Sequence, residues 1–282
     1  MWTRESVYAL PANVSAMAFH MDPETWNSMG LPIAQDIVLC YMTLALVYCV
    51  TANVGAEDRW ALTHEIWWYP FSLILVYYAC SGAVALSGDV EARWGGTCPE
   101  AFKFIRLYVA AQMLAIPIEL LGAGSWKAKL PMIGHHAVSI GGYLCGLKGE
   151  TAFFFCCAAG LSEVSTIFLE GVLLSKRKEF KTFFDTYAPW FLAANGALLW
   201  LSYIIFRLLL FPLLLAIHSY DKYVLKPPIT LYENSPSAVA VVPSALVFLF
   251  ALSVVWFSKI HKGFMTKVLG AIKPGDDKKK SS

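Results

Sequence analysis

The chain has 282 residues, of which 57% are hydrophobic, 15% aromatic and only 15% charged, with a formal net charge of +2 and a mean hydropathy of +0.55. Soluble domains carry roughly 25% charged residues, so a water-soluble globule is excluded: too little polar surface is left to cover its core. The near-neutral charge also argues against a nucleic-acid partner, and the expected class is all-α, a polytopic membrane helical bundle.

Residues 1–32 read as an N-terminal non-cytosolic segment. They hold no short apolar stretch with a small-residue cleavage site, so no removable signal peptide is expected. Asn13-Val14-Ser15 is a glycosylation sequon on the same side. Residues 33–260 then form the transmembrane bundle. Crossing about 30 Å of hydrocarbon takes roughly 20 residues. Apolar runs of about that length fall at Ile33–Val54, Trp67–Leu86, Phe104–Leu121, Pro131–Leu147, Thr151–Leu174, Trp190–Ile217 and Ala238–Ile260. That makes about seven spans, the fourth being short and polar-tinged. Trp67, Trp68, Tyr69, Trp190 and Trp256 lie near span ends, where interface belts place aromatics. Six of the seven cysteines lie in apolar runs and none forms a C-x-x-C motif, so no disulfide framework is expected.

Basic residues set the orientation. Arg59, Lys127, Lys129, the Lys176–Lys181 group and the C-terminal lysines put fourteen of the 22 Lys and Arg residues on one side. Seven lie on the other side, and Arg207 falls inside span six, where it is expected to snorkel toward the non-cytosolic surface. This two-to-one bias places the C-terminus in the cytosol and the N-terminus across the membrane. Residues 261–282 are then a basic cytosolic tail. Its last residues, Lys279-Lys280-Ser281-Ser282, resemble a di-lysine address of the endoplasmic reticulum, the alternative being a generic basic tail on a protein of a mitochondrial or plastid membrane.

Ionisable groups inside a bilayer cost roughly 2.5–3.5 kcal/mol each at mid-helix and so normally face the bundle interior. Spans four and five concentrate them, and the Gly146–Glu150 link makes these spans antiparallel neighbours. At 100° per residue, His136, Ser139 and Tyr143 share one face, and Glu163, Thr166 and Glu170 another. His136 and Glu170 fall at similar depth in the cytosolic half, with Thr166 and Glu163 deeper. His135, His136, Glu163, Thr166 and Glu170 are therefore the candidate polar site. A His beside a carboxylate suits general-base work, and a His can also take an acyl group as a nucleophile. The same residues also fit an interhelical hydrogen-bond pair. Metal binding is not expected, because adjacent His residues diverge by about 100°. Gln112 with Glu119, and Asn195 with Ser202, form two further polar faces that read as packing or hydrogen-bonding features rather than catalytic ones.

Gly134-His135-His136, followed after a short link by Ser162-Glu163-Val164-Ser165-Thr166-Ile167-Phe168-Leu169, resembles the TLC (TRAM–LAG1–CLN8) domain. The likeness is to the TLC-domain-containing branch, in which a double His is followed by an E-x-S-T/S-x-F segment, and it extends over about Trp60–Ile260. It implies a TLC-type core of six helices around a lipid-accessible cavity. Ceramide synthases of this family transfer an acyl group from acyl-CoA and carry H-D-x-x-D-x-x-L-E after the paired His. Matching Leu169-Glu170 to its Leu-Glu puts Ser162 at its His, and Glu163 and Thr166 at its two Asp, a departure that counts against ceramide synthesis. Two classes of function remain. The first is a protein that binds, senses or modifies an acyl lipid, with membrane lipids as partners, and acyl-CoA as cofactor only if it is an acyltransferase. The second is a non-catalytic TLC-fold subunit of a larger membrane complex, packed against other membrane subunits.

Overall fold

A computed structural model describes residues 30–53, 59–121, 125–226 and 236–272. The sequon, the 1–29 segment and the terminal lysines lie outside the described residues. Among the described residues there is helix and no strand. The elements are α1 (Leu31–Val50), α2 (Arg59–Ala85), α3 (Val90–Gly95), α4 (Pro99–Leu121), α5 (Trp126–Gly149), α6 (Phe153–Gly160), α7 (Glu163–Lys176), α8 (Lys178–Tyr187), α9 (Trp190–Tyr203), α10 (Leu210–Tyr220) and α11 (Pro236–Ile272).

Among the described residues, six stretches are long and apolar enough to cross a membrane: Leu31–Val50, Arg59–Ala85, Val90–Leu120, Phe153–Lys176, Trp190–Leu225 and Val239–Thr266. The fourth span of the sequence reading, α5, is 24 residues long. At 1.5 Å per residue it reaches about 36 Å, enough to cross. Its two His and several Gly lower its hydropathy, and it packs between α4 and α11 inside the bundle. A helix shielded from lipid by its neighbours does not need an apolar surface all round. The helices also run longer than the apolar runs: α2 begins at Arg59 and α11 continues to Ile272, into the basic tail.

α4 is the central helix. Ala101, Phe104, Ile105, Val109, Ala110 and Ala111 are all fully buried on it. Its start has Pro99 at the first helical position, where a missing N–H costs nothing. Arg106 ties it to α1 through Asp36 Oδ2 at 2.9 Å. Close helix approach uses glycine, as is usual between membrane helices. A Cβ on Gly160 would lie 2.1 Å from the Phe104 ring, and one on Gly171 would lie 2.4 Å from Asn195 Oδ1. The Asn195 face is therefore a packing feature joining α9 to α7.

One end of the bundle is solid. Trp94, Phe153, Phe155 and Phe211 are among its fully buried side chains. The short α3 is capped by Asp89, whose side chain accepts from Ala92 N–H at 2.8 Å. Asp221 locks α3 to the far end of span six: Arg93 donates to both its carboxylate oxygens at 2.6 and 2.8 Å, and Trp94 Nε1 donates at 3.2 Å. Toward the opposite, basic end the core divides. One cluster (Cys40, Leu44, Trp67, Trp68 and their neighbours) lies between α1, α2 and α4. Another, around Val172, Leu199 and Tyr203, lies between α7, α9 and α11. Trp67 and Trp68 are thus core residues, each 5% exposed, and the interface-belt expectation fails for them. Trp190 is 66% exposed.

Two spans are irregular where the polar residues sit. Span five breaks at Leu161–Ser162 between α6 and α7. There Ser162, Val164 and Ser165 donate to carbonyls three residues back instead of four. Span six turns π-helical over Ile204–Leu209. A π-turn inserts a residue and so rotates the side chains that follow it, and such turns gather at functional sites. It carries Arg207.

Candidate functional site

Between the two divided clusters lies a cavity of about 480 Å³. α5 supplies His135 and His136 to its wall, and α7 supplies Glu163, Ser165, Thr166 and Glu170. All five candidate residues read from the sequence therefore face one space. α4 adds Gln112 and Glu119, α2 adds His64 and Glu65, span six adds Tyr203 and Arg207, and α11 adds Trp256 and Lys259. Trp60 and Lys259, both exposed, mark the mouth at the basic end.

The adjacent histidines do diverge, as helix geometry requires, yet both are buried because α5 has neighbours on both sides. His136 points to α4, where its Nδ1 shares a hydrogen bond with Gln112 Oε1. An amide oxygen only accepts, so Nδ1 carries the proton and Nε2 keeps its lone pair. His135 turns toward α11, with its ring 5.6 Å from that of Trp256. Its Nδ1 is buried with no hydrogen-bond partner. Glu163, 2% exposed, accepts from Tyr108 Oη at 3.2 Å. Glu170 is buried as well, and its Oε2 has no partner. The sequence reading left a direct His136–Glu170 pair open. His136 pairs with Gln112 instead, and the carboxylate faces the same cavity from the opposite wall. Ser139 and Tyr143, on the same face of α5 as His136, lie beyond this cavity. They border a separate void of about 30 Å³, and Tyr143 Oη donates to the Cys156 carbonyl at 3.2 Å.

Arg207 corrects the expectation that it snorkels outward. It is 6% exposed, and its Nε and Nη2 donate to Ser165 Oγ at 2.7 Å and Thr166 Oγ1 at 3.1 Å. The π-turn turns it inward, which a regular 100° spacing does not anticipate. Gln112, one of the residues read as packing or hydrogen-bonding, is the hydrogen-bond partner of His136. The signal for Arg207 was present in the sequence: an ionisable residue in mid-span is a site candidate by default. At the mouth, Arg177 closes a two-pronged pair on Glu65 at 2.8 and 2.9 Å, joining α2 to the α7–α8 corner. Among the described residues no group of three His, Cys, Asp or Glu side chains stands close enough to hold a metal ion.

Chemically, the arrangement offers an uncommitted imidazole nitrogen, buried carboxylates and a buried guanidinium around a space that opens at one end of an apolar bundle. Pockets of about 300–1,000 Å³ suit a small molecule or the head of a larger one. The family model described as the TLC domain matches the chain over residues 5–262. No curated protein and no solved structure matches it. A match over nearly the whole chain, on a bundle of membrane-length helices with this polar cavity, makes the protein a member of the TLC-domain family, an integral membrane protein with a membrane lipid-related role.

Proposed function

We propose that the protein binds an acyl lipid with its polar head in the cavity bounded by α2, α4, α5, α7, α9 and α11. The observation that carries this reading is the cavity itself: about 480 Å³, walled by His135, His136, Glu163, Thr166 and Glu170 and enclosed by apolar helices. Keeping so many polar groups inside a membrane bundle is costly, and an amphiphile's head would meet them. A purely scaffolding bundle has no use for such a space. Phe153–Phe155, which would fill it in a scaffold, instead pack into the solid end against Trp94 and Phe102.

A catalytic form of the same reading is acyl transfer, and one observation favours it. The Gln112 bond leaves His136 Nε2 with a lone pair, the form needed to take a proton from an acceptor or to attack an acyl thioester. Acyl-CoA would then be the donor, entering past Trp60 and Lys259. The endoplasmic reticulum is the proposed residence, on the strength of Lys279-Lys280-Ser281-Ser282. Changing both lysines to serine is expected to release the protein to later compartments, and residence of the unaltered protein in mitochondria would refute the address.

Native lipid extraction tests the main reading. The protein, purified in mild detergent, is expected to carry a discrete acyl lipid, identified by mass spectrometry, that falls away in His136→Ala. A lipid profile identical to that of the bulk membrane would overturn it.

A further inference from the structure

Two buried ionisable groups of opposite kind, a guanidinium and a carboxyl, face the cavity and do not meet. Arg207 is held by the neutral hydroxyls of Ser165 and Thr166, and among the described residues no carboxylate pairs with it. Glu170, 7% exposed, leaves Oε2 without any partner. Thr166, which marks the depth of the guanidinium, lies one helical turn from Glu170 along α7, about 6 Å at 1.5 Å per residue. Other charges do not settle the account. Glu65 is already taken by Arg177. Glu163, 2% exposed, accepts the Tyr108 hydroxyl, which leaves its charge uncancelled and adds a second acidic group beside Glu170, and Glu119 and Lys259 line the cavity without an ion-pair partner among the described residues.

Removing an ion from water carries a large penalty unless a counter-charge replaces the water. Hydroxyl groups orient a guanidinium without cancelling its charge. Two such groups, facing one space and held apart by the helices that carry them, are each completed by a ligand with a charge at each end, whose cationic end would hold the carboxyl ionised. We infer that the cavity is built for a zwitterionic head group, with its phosphate or carboxylate on Arg207 and its ammonium on Glu170. This inference rests on the lipid-binding reading and narrows it to a ligand class. A purely anionic head would leave Glu170 uncompensated and bring a second negative charge toward it. A simple amine would leave Arg207 bare, and a neutral head would leave both. The planar fork of Arg fits phosphate and carboxylate oxygens, and Nη1 remains for that contact once Nε and Nη2 hold Ser165 and Thr166.

The test is a binding panel on the full-length protein in uncharged detergent, with four short-chain probes: a phosphatidylethanolamine, a phosphatidic acid, an alkylamine and a diacylglycerol. The phosphatidylethanolamine is expected to bind about tenfold tighter than any of the other three, as one charge-assisted contact implies. Arg207→Gln is expected to erase its advantage over the alkylamine, and Glu170→Gln its advantage over phosphatidic acid. Arg207→Lys keeps the charge and retains most of the preference, so it serves if Arg207→Gln fails to fold. Equal binding of all four probes, or tightest binding of the diacylglycerol or phosphatidic acid, overturns the zwitterion while leaving lipid binding intact. Binding of none of the four overturns both readings.

Discussion

His136 on α5 and Gln112 on α4 share a hydrogen bond across the helix interface at the floor of the cavity, with the ring Nδ1 donating to the amide oxygen. The bond sets the tautomer of the imidazole and leaves Nε2 as its basic nitrogen. His136→Ala is expected to abolish lipid loading while the protein still inserts. Interhelical hydrogen bonds in membrane proteins average only about 0.6 kcal/mol, so its thermal unfolding should shift by a few degrees at most. Gln112→Leu leaves the ring but not its orientation, and is expected to reduce loading partially. Parallel loss of loading and stability in both variants would show the pair to be merely structural. Lipid content and unfolding temperature, read on the same samples, decide.

Arg207 makes two hydrogen bonds but no ion pair among the described residues, so its net contribution to stability is small. Arg207→Met removes bonds to a charged group worth about 1.5–3 kcal/mol each and also removes the penalty of a buried cation, which is of the same order or larger. The expected outcome is a stability within about 1 kcal/mol of the parent, with loading lost. Unfolding by several degrees at lower temperature would show that Arg207 holds the helices together instead.

Gly160 faces the ring of Phe104, and an added Cβ would meet it at 2.1 Å. Both residues are buried in the solid end of the bundle, where neither can move aside. Gly160→Ala is expected to destabilise by about 1–3 kcal/mol, the usual cost of overpacking, seen as lower yield and an earlier unfolding transition. Gly141→Ala, with nothing within 4 Å of the added atom, is the matched control and should be neutral.

Asp221 is fully buried and holds both Arg93 and Trp94. Asp221→Ala strands the Arg93 guanidinium, whose side chain is 15% exposed. Removing one partner of a buried pair costs about 3–5 kcal/mol; partial solvation of Arg93 puts the expected loss near the lower end. Thermal unfolding of Asp221→Ala against the parent checks it, and the double variant Arg93→Met with Asp221→Leu should recover much of the loss.

Counting α5 with the six other membrane-length stretches among the described residues, the two termini are expected on opposite sides of the membrane. Protease protection of tags at each end is expected to show the C-terminus in the cytosol and the N-terminus protected. Two tags on the same side would remove α5 from the count of spans.

Composition alone determined the bundle, because a chain with 15% charged residues has no folded state with an adequate polar surface in water. The sequence also picked out five of the side chains in the polar wall, His135, His136, Glu163, Thr166 and Glu170. Helical periodicity brings Glu163, Thr166 and Glu170 onto one face; that face meets His136 only across the cavity, because α5 packs on α4 and α11 and α7 on α2 and α9. Periodicity stopped short wherever a helix is irregular or a neighbour was needed. Arg207 reaches the cavity because Ile204–Leu209 is π-helical, and no spacing rule announces that extra residue. Gln112 became the partner of His136 only when α4 and α5 packed side by side, since the two lie 24 positions apart in sequence. Trp67 and Trp68, placed at the interface by their position in the chain, are buried by α1 and α4 against α2. Which buried charges are left without a partner is decided only when all the helices have taken their places.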